Sequence, residues 1–284
     1  MKLDKICVVG AGTMGIGVSS DLILHDFDVV LIDKSEQALE RAKTKILGNV
    51  RFAPALKADL PKLEEDVILA RMRLSTDLGL AGECDYVVEN VPEDWSIKKP
   101  VYEELAAVCR EETFFGVNTS CTSITKVGAL TKRPDKVIGI HFMNPAYLID
   151  GVEVMKAVHT SDETIEVTLA LLDRLGKRTT VVGDLPGFVS NRISHVFMNE
   201  AAFVVQDQLA DPKAVDEIFR NCFGHSMGPL ETADLIGLDT VVNSLRVLYE
   251  SYQDPKFRCC PLMQKMVEAG RLGRKAGHGF YKYN

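Results

Sequence analysis

Ile6-Cys7-Val8-Val9-Gly10-Ala11-Gly12-Thr13-Met14-Gly15 is the stretch on which the fold turns. An apolar, β-branched run leads into a G-x-G-x-x-G string that opens a helix, Met14 to His25. The string alone recurs by chance, and its weight comes from the strand before it and the helix after it. In that setting Gly10 permits the tight turn, Gly12 lets the backbone approach a pyrophosphate and Gly15 lets helix pack on strand. The helix N-terminus at Thr13 and Met14 is left to hold the anion. Asp33 ends the second strand, 18 residues beyond Gly15, near the roughly 20 expected for an acid that bonds the adenosine ribose hydroxyls. An acid there repels a 2′-phosphate, so the implied dinucleotide is NAD rather than NADP. The plain alternative is a glycine-rich turn beside an ordinary surface aspartate.

Outward from that unit, short β-branched runs alternate with longer amphipathic segments up to about residue 184, the pattern of a parallel sheet with crossover helices. The runs are Ile6–Gly10, Asp28–Asp33, Tyr86–Val91, Phe114–Thr119, Val137–Phe142, Val152–Val158 and Arg178–Val182. Several are apolar at every position, which suits strands covered on both faces. Residues 35 to 74 carry Leu39, Ala42, Ile46, Val50, Val67, Ile68 and Ala70 at helical spacing, with Pro54 and Pro61 as breaks. This predicts a helical hairpin inserted into the sheet order.

After Gly183-Asp184-Leu185-Pro186-Gly187 the apolar period becomes 3.6 residues almost to residue 272. The chain is therefore read as an α/β domain over 1–184 and a smaller all-α domain over 185–284. In the second, a long helix spans 188 to 209, another follows Asp211-Pro212 as N-cap and first residue, a third follows Gly228-Pro229, and one more begins near Pro261. The glycine-punctuated tail is expected to fold back on the first domain.

Bulk properties exclude several function classes. With 284 residues, 46% of them apolar, the chain can bury one large or two medium cores. No apolar run is long enough to span a bilayer and the N-terminus reads as a strand, so a soluble, cytoplasmic protein is expected, with no membrane partner. The net charge of −7 offers no basic footprint for nucleic acid. Seven cysteines without a C-x-x-C pair are read as reduced thiols, with no metal site.

The chemistry is expected where open parallel sheets gather their ligands, at the carboxyl ends of the later strands. Asn118-Thr119-Ser120 ends one strand with small polar residues, and His141 lies at the end of another. Glu153 stands between Val152 and Val154, and a carboxylate in such a run needs a cationic or hydrogen-bonding partner. His141 is the natural one. A glutamate that accepts from one imidazole nitrogen sets the tautomer and leaves the other to take a hydroxyl proton. The alternative is a structural strand-end histidine and a water-facing glutamate.

V-V-G-A-G-T-M-G, V-E-N-V-P-E-D, N-T-S, H-F-M-N-P, V-E-V, P-G-F-V-S-N-R, G-P-L-E-T-A-D-L-I-G-L-D and G-R-K-A-G-H-G-F-Y occur in that order along the whole chain. On these motifs it resembles the 3-hydroxyacyl-CoA dehydrogenases. The resemblance implies a Rossmann-type domain with a helical domain that closes over the acyl group and forms a homodimer. It implies that His141 is the base, with Glu153, twelve residues on, as its partner, and that Ser120 and Asn191 contact the substrate oxygen. It also implies cofactor contacts from Glu93, Lys98, Asn118 and Lys275, with Asn144 near the nicotinamide.

Departures bear on substrate. Between Pro145 and Glu153 the chain reads Ala-Tyr-Leu-Ile-Asp-Gly-Val, where the CoA enzymes usually carry Val-Pro-Val-Met-Lys-Leu-Val. The stretch corresponding to their lysine-rich, phosphate-binding hairpin is Arg51 to Asp59, with Lys57 in it. N-T-S-C, V-P-E-D and N-P-x-Y resemble relatives that oxidise L-gulonate. V-E-N-V-P-E-D-W, N-T-S-C-T-S-I-T-K and H-F-M-N-P-A-Y look like the branch that oxidises a glyceryl group on an acyl carrier protein, for hydroxymalonyl or methoxymalonyl extender units. An acidic carrier needs a basic face, for which Lys98, Lys99, Arg133 and Lys136 are the candidates. The expected substrate is thus an acyl thioester on a carrier protein or CoA, with a free hydroxy acid or a non-catalytic NAD sensor as the other readings.

Overall fold

The computed structural model describes residues 3–283. The chain divides into two compact units, Met1–Asp184 and Leu185–Asn284. The first contains, in order, β1 (Lys5–Val9), α1 (Thr13–Leu24), β2 (Asp28–Ile32), α2 (Glu36–Leu56), α3 (Glu65–Ala70), β3 (Met72–Ser75) and β4 (Tyr86–Glu89). Beyond β4 lie α4 (Trp95–Val108), β5 (Phe114–Asn118), α5 (Ile124–Gly128), β6 (Val137–Phe142), β7 (Gly151–Lys156), α6 (Asp162–Arg174) and β8 (Arg178–Gly183).

The eight strands form one sheet in the order β3-β2-β1-β4-β5-β6-β7-β8. All neighbours are parallel except β6 and β7, which run antiparallel. This is the doubly wound, Rossmann-type sheet that the alternation of strand and helix predicts. β4, β5 and β6 are buried at every position, which is why they read as near-continuous apolar runs. The strand order reverses between β1 and β4, so a crevice opens above their carboxyl ends.

The expected pair of helices is present with unequal arms, α2 and the short α3. Leu39, Ala42, Ile46, Val50 and Ala53 form one buried stripe along a single long α2, capped by the Ser35 hydroxyl accepting from the Ala38 amide. Pro54 lies in the last turn of that helix rather than ending it. In place of a second long helix the chain forms only the short α3, and then β3, which pairs with β2 at the sheet edge. That strand, M-R-L-S, has no fully buried position, and four residues are too few for its period to separate from a helix.

The second unit contains α7 (Ser190–Gln206), α8 (Pro212–Phe223), α9 (Pro229–Ile236), α10 (Leu238–Tyr252) and α11 (Pro261–Glu268). The helix expected after Gly228-Pro229 is two helices, because Gly237 at φ 102° turns the chain between α9 and α10. Met198, Ala202, Leu230, Leu238, Val241, Leu245 and Met263 form the core. The tail is pinned within this unit. The Phe280 and Tyr281 amides donate to the two oxygens of Asp234, each at 3.0 Å, and the Tyr281 hydroxyl donates to Asp216 at 2.7 Å. Both carboxylates are fully buried, so they need these donors. A side chain at Gly279 would lie 2.0 Å from Asp234 Oδ1.

Among the described residues, no disulfide links the seven cysteines. Among the described residues, no helix is long and apolar enough to cross a membrane, and no group of His, Cys, Asp or Glu is placed to hold a metal ion.

Candidate active site

The glycine loop shows where each glycine is demanded. Gly10 adopts φ 99°, and a Cβ there would meet the Asn90 carbonyl oxygen at 2.8 Å. At Gly15 a Cβ would stand 1.8 Å from the Gly10 carbonyl oxygen, where α1 packs against the turn. Gly12 is different: a Cβ there would meet nothing within 4 Å. The fold itself gives no reason for glycine at 12, whereas a ligand lying on that backbone does. Gly12 and Thr13 are exposed and Met14 half-buried at the start of α1, which carries no side-chain cap, so its first amides point outward unsatisfied by the helix. Asp33, at the end of β2, accepts from the Ala11 amide at 2.8 Å and the Ser35 amide at 2.9 Å. It thereby ties the second strand end to the glycine loop. The loop, the uncapped helix start and the acid fit a dinucleotide.

Antiparallel pairing of β7 with β6 places Glu153 directly opposite His141. Neighbouring side chains across a strand pair project from the same face, and here Nδ1 of His141 lies 3.1 Å from Oε2 of Glu153. The two are only 7% and 8% exposed. An ionised carboxylate can only accept, so the contact puts the proton on Nδ1 and makes Nε2 the accepting nitrogen. Nε2 lies 3.2 Å from the Ser120 hydroxyl. Ser120, His141 and Glu153 therefore form one relay at the carboxyl edge of β5 and β6.

The loop that presents Ser120 is tied down by Glu93. Its Oε1 accepts from the Thr119 hydroxyl and the Ser120 amide, each at 2.5 Å, and its Oε2 accepts from the Thr122 hydroxyl at 2.6 Å. Lys98 stands behind this carboxylate, 3.9 Å from Glu93 Oε2. Lys98, expected at the cofactor, is paired within the protein. Lys98 is 0% exposed, and its ammonium donates to both oxygens of Glu89 at 2.9 Å. It presents no surface to a ligand and anchors the turn that bears Glu93. Burial pushes the Glu89 carboxyl above its ordinary range, opposed by Lys98 and by the Val91 amide.

Asn118 donates to Asn90 Oδ1 at 2.6 Å and accepts from the Phe142 amide at 3.3 Å, joining the ends of β4, β5 and β6. Asn144 is exposed in the turn after β6. Asn191 lies in the first turn of α7, in the second unit. Lys275, also in that unit, pairs with Asp239 at 2.6 Å.

Glu89 and Thr122 escape the sequence reading, which places Thr119 only as a small polar strand-end residue and Asp184 only in a turn between domains. For Glu89 the signal was present: it sits in V-V-E-N-V, a carboxylate in an apolar strand, the same anomaly that marks Glu153.

The chain matches the family model for the 3-hydroxyacyl-CoA dehydrogenase NAD binding domain over residues 5–185, and that for the C-terminal domain of the same name over 187–283. A probable 3-hydroxybutyryl-CoA dehydrogenase of Deinococcus radiodurans is 41% identical over 282 residues, spanning 98% of this chain and 100% of that protein. A 3-hydroxybutyryl-CoA dehydrogenase of Bradyrhizobium diazoefficiens is 39% identical over 281 residues, or 99% and 96% of the two chains. The crystal structure of (S)-3-hydroxybutyryl-CoA dehydrogenase from Ralstonia eutropha is similar over 100% of both chains, with a TM-score of 0.93 and 36% identity.

Proposed function

We propose that this chain, which belongs to the 3-hydroxyacyl-CoA dehydrogenase family, oxidises the 3-hydroxyl of a short acyl thioester of the 3-hydroxybutyryl-CoA kind, with NAD as its cofactor. The observation that carries the reading is the relay from Glu153 through His141 to Ser120. When bound, NAD supplies the acceptor for the hydride. Nε2 of His141 takes the hydroxyl proton, Glu153 steadies the imidazolium, and Ser120 holds the substrate oxygen, with Asn191 the further oxygen contact that the family resemblance implies. Glu93 fixes Ser120 through its backbone amide. We further propose a cytoplasmic homodimer.

A second reading has one observation in its favour. Lys57 is committed to Asp150 at 2.7 Å, a pair that holds Asp150 below the usual carboxylate range. A cation so paired has less to offer a CoA phosphate, as would suit a glyceryl group on an acyl carrier protein. The basic face for a carrier is thin, since Lys98 is buried and Arg133 donates to the Cys109 and Ala106 carbonyls at 3.2 and 3.1 Å.

NADH absorbance separates these readings with 3-hydroxybutyryl-CoA, a glyceryl-carrier protein and free 3-hydroxy acids. Turnover is expected to be highest on the CoA ester. Silence on all three, with NAD still bound, would leave a non-catalytic NAD-binding protein.

Asp33 carries the cofactor preference. Loss of a hydrogen bond to a charged group is worth about 1.5–3 kcal/mol, so Asp33→Ala should weaken NAD binding by roughly 10–150-fold. Binding of NADP should weaken less, because the repulsion of its 2′-phosphate goes too. Calorimetric titration with both nucleotides checks this, and an unchanged NAD affinity would remove Asp33 from the site.

A further inference from the structure

Residues 119–123, which connect β5 to α5 and carry Ser120, are held at both ends by carboxylates distant in sequence. Glu93 holds the first end. At the other, Asp184 accepts from the Ser123 hydroxyl at 3.2 Å, the Ile124 amide at 3.0 Å and the Thr125 amide at 2.7 Å. The amides are the first two of α5, donors that a helix cannot satisfy for itself. With five residues, α5 is too short to hold its own shape, so its start is set by what caps it. The Ser123 hydroxyl lies 3.3 Å from the Lys126 amide as N-cap while donating to Asp184, so one carboxylate orients both the cap and the helix. The position of Asp184 adds to this. It comes directly after the last residue of β8 and is the final residue of the first compact unit.

We propose that Asp184 is a positioning residue that acts through Ser120. It fixes the exit of the Ser120 loop and couples the hydroxyl's place beside His141 to the point where the chain leaves the nucleotide-binding unit. This rests on Ser120 holding the reacting oxygen. A carboxylate accepting from three donors makes charge-assisted bonds, and releasing them frees the loop to misplace Ser120 by an ångström or so, which is worth up to about 10²-fold in rate.

The test is a double-mutant cycle of Asp184→Ala and Ser120→Ala, read as kcat/KM with 3-hydroxybutyryl-CoA, with NAD affinity by calorimetry and hydrogen exchange of the loop. Asp184→Ala alone is expected to lower kcat/KM about tenfold, leave NAD affinity within about twofold and speed exchange at Ser120 to Thr125. In the Ser120→Ala background it should cost less than about twofold, because the two losses share one route. Additive losses, or unchanged exchange in the loop, overturn the inference while leaving the reading of Ser120 intact. A Ser120→Ala enzyme with full activity overturns that reading, and this inference with it. A general loss of folding would show as faster exchange throughout the unit, and that too overturns the proposal.

Discussion

His141→Ala should lower turnover by about 10²–10⁴, the usual contribution of a general base, with NAD affinity nearly unchanged. The asymmetry comes from the geometry. His141 reaches Ser120 with Nε2 and Glu153 with Nδ1, while the glycine loop and Asp33 stand at the ends of β1 and β2, on the other side of β4 and β5. Stopped-flow turnover and calorimetric NAD titration on the same preparation separate the two effects. Glu153→Gln provides the contrast. An amide can present its NH₂ to Nδ1, which favours the tautomer with its proton on Nε2, the wrong one for taking a proton from substrate. Near-normal turnover in His141→Ala would end the mechanism, whatever the fold.

The second large effect is on stability. Lys98→Met should destabilise the first unit by about 3–5 kcal/mol, because Glu89 would be left as a carboxylate buried without its cation. Both side chains are 0% exposed, so water cannot replace the lost ammonium. Replacing both partners, Lys98→Met with Glu89→Leu, should recover most of the loss, since the charge that made it costly is gone. Urea unfolding of the single and double variants makes the comparison. A single variant within about 1 kcal/mol of the parent would show that the pair is not held as described. The double variant should still turn over more slowly than the parent, because Glu93 loses the cation 3.9 Å behind it.

Much of this molecule is legible from local pattern. Val8-Val9-Gly10 leading into Gly12 and Gly15 marks the dinucleotide unit because strand, turn and helix start occupy one continuous stretch. The stripe from Leu39 to Val50 marks α2 for the same reason. Where the signal is short or partly exposed it fails: β3 has four residues at a sheet edge, and Gly237 splits one apolar period into two helices by a backbone angle that no periodicity records. The partner of Lys98 is not legible because its motif names a residue type and spacing but not its burial. Only the packed strand ends show that its charge is consumed by Glu89.

The sequence by itself determined most of the sheet and helix content, the dinucleotide loop with its acid, and the need of a carboxylate between valines for a partner. Tertiary structure decided partners that no local pattern names, Lys98 for Glu89 and the Ser120 loop for Glu93 and Asp184, and it seated Glu153 against the His141 that the sequence already suggests. The physical reason is range. Apolar periodicity and turn chemistry act within a few residues along the chain, whereas a buried charge is compensated by whatever group the fold brings within about 3 Å of it, from any distance in sequence.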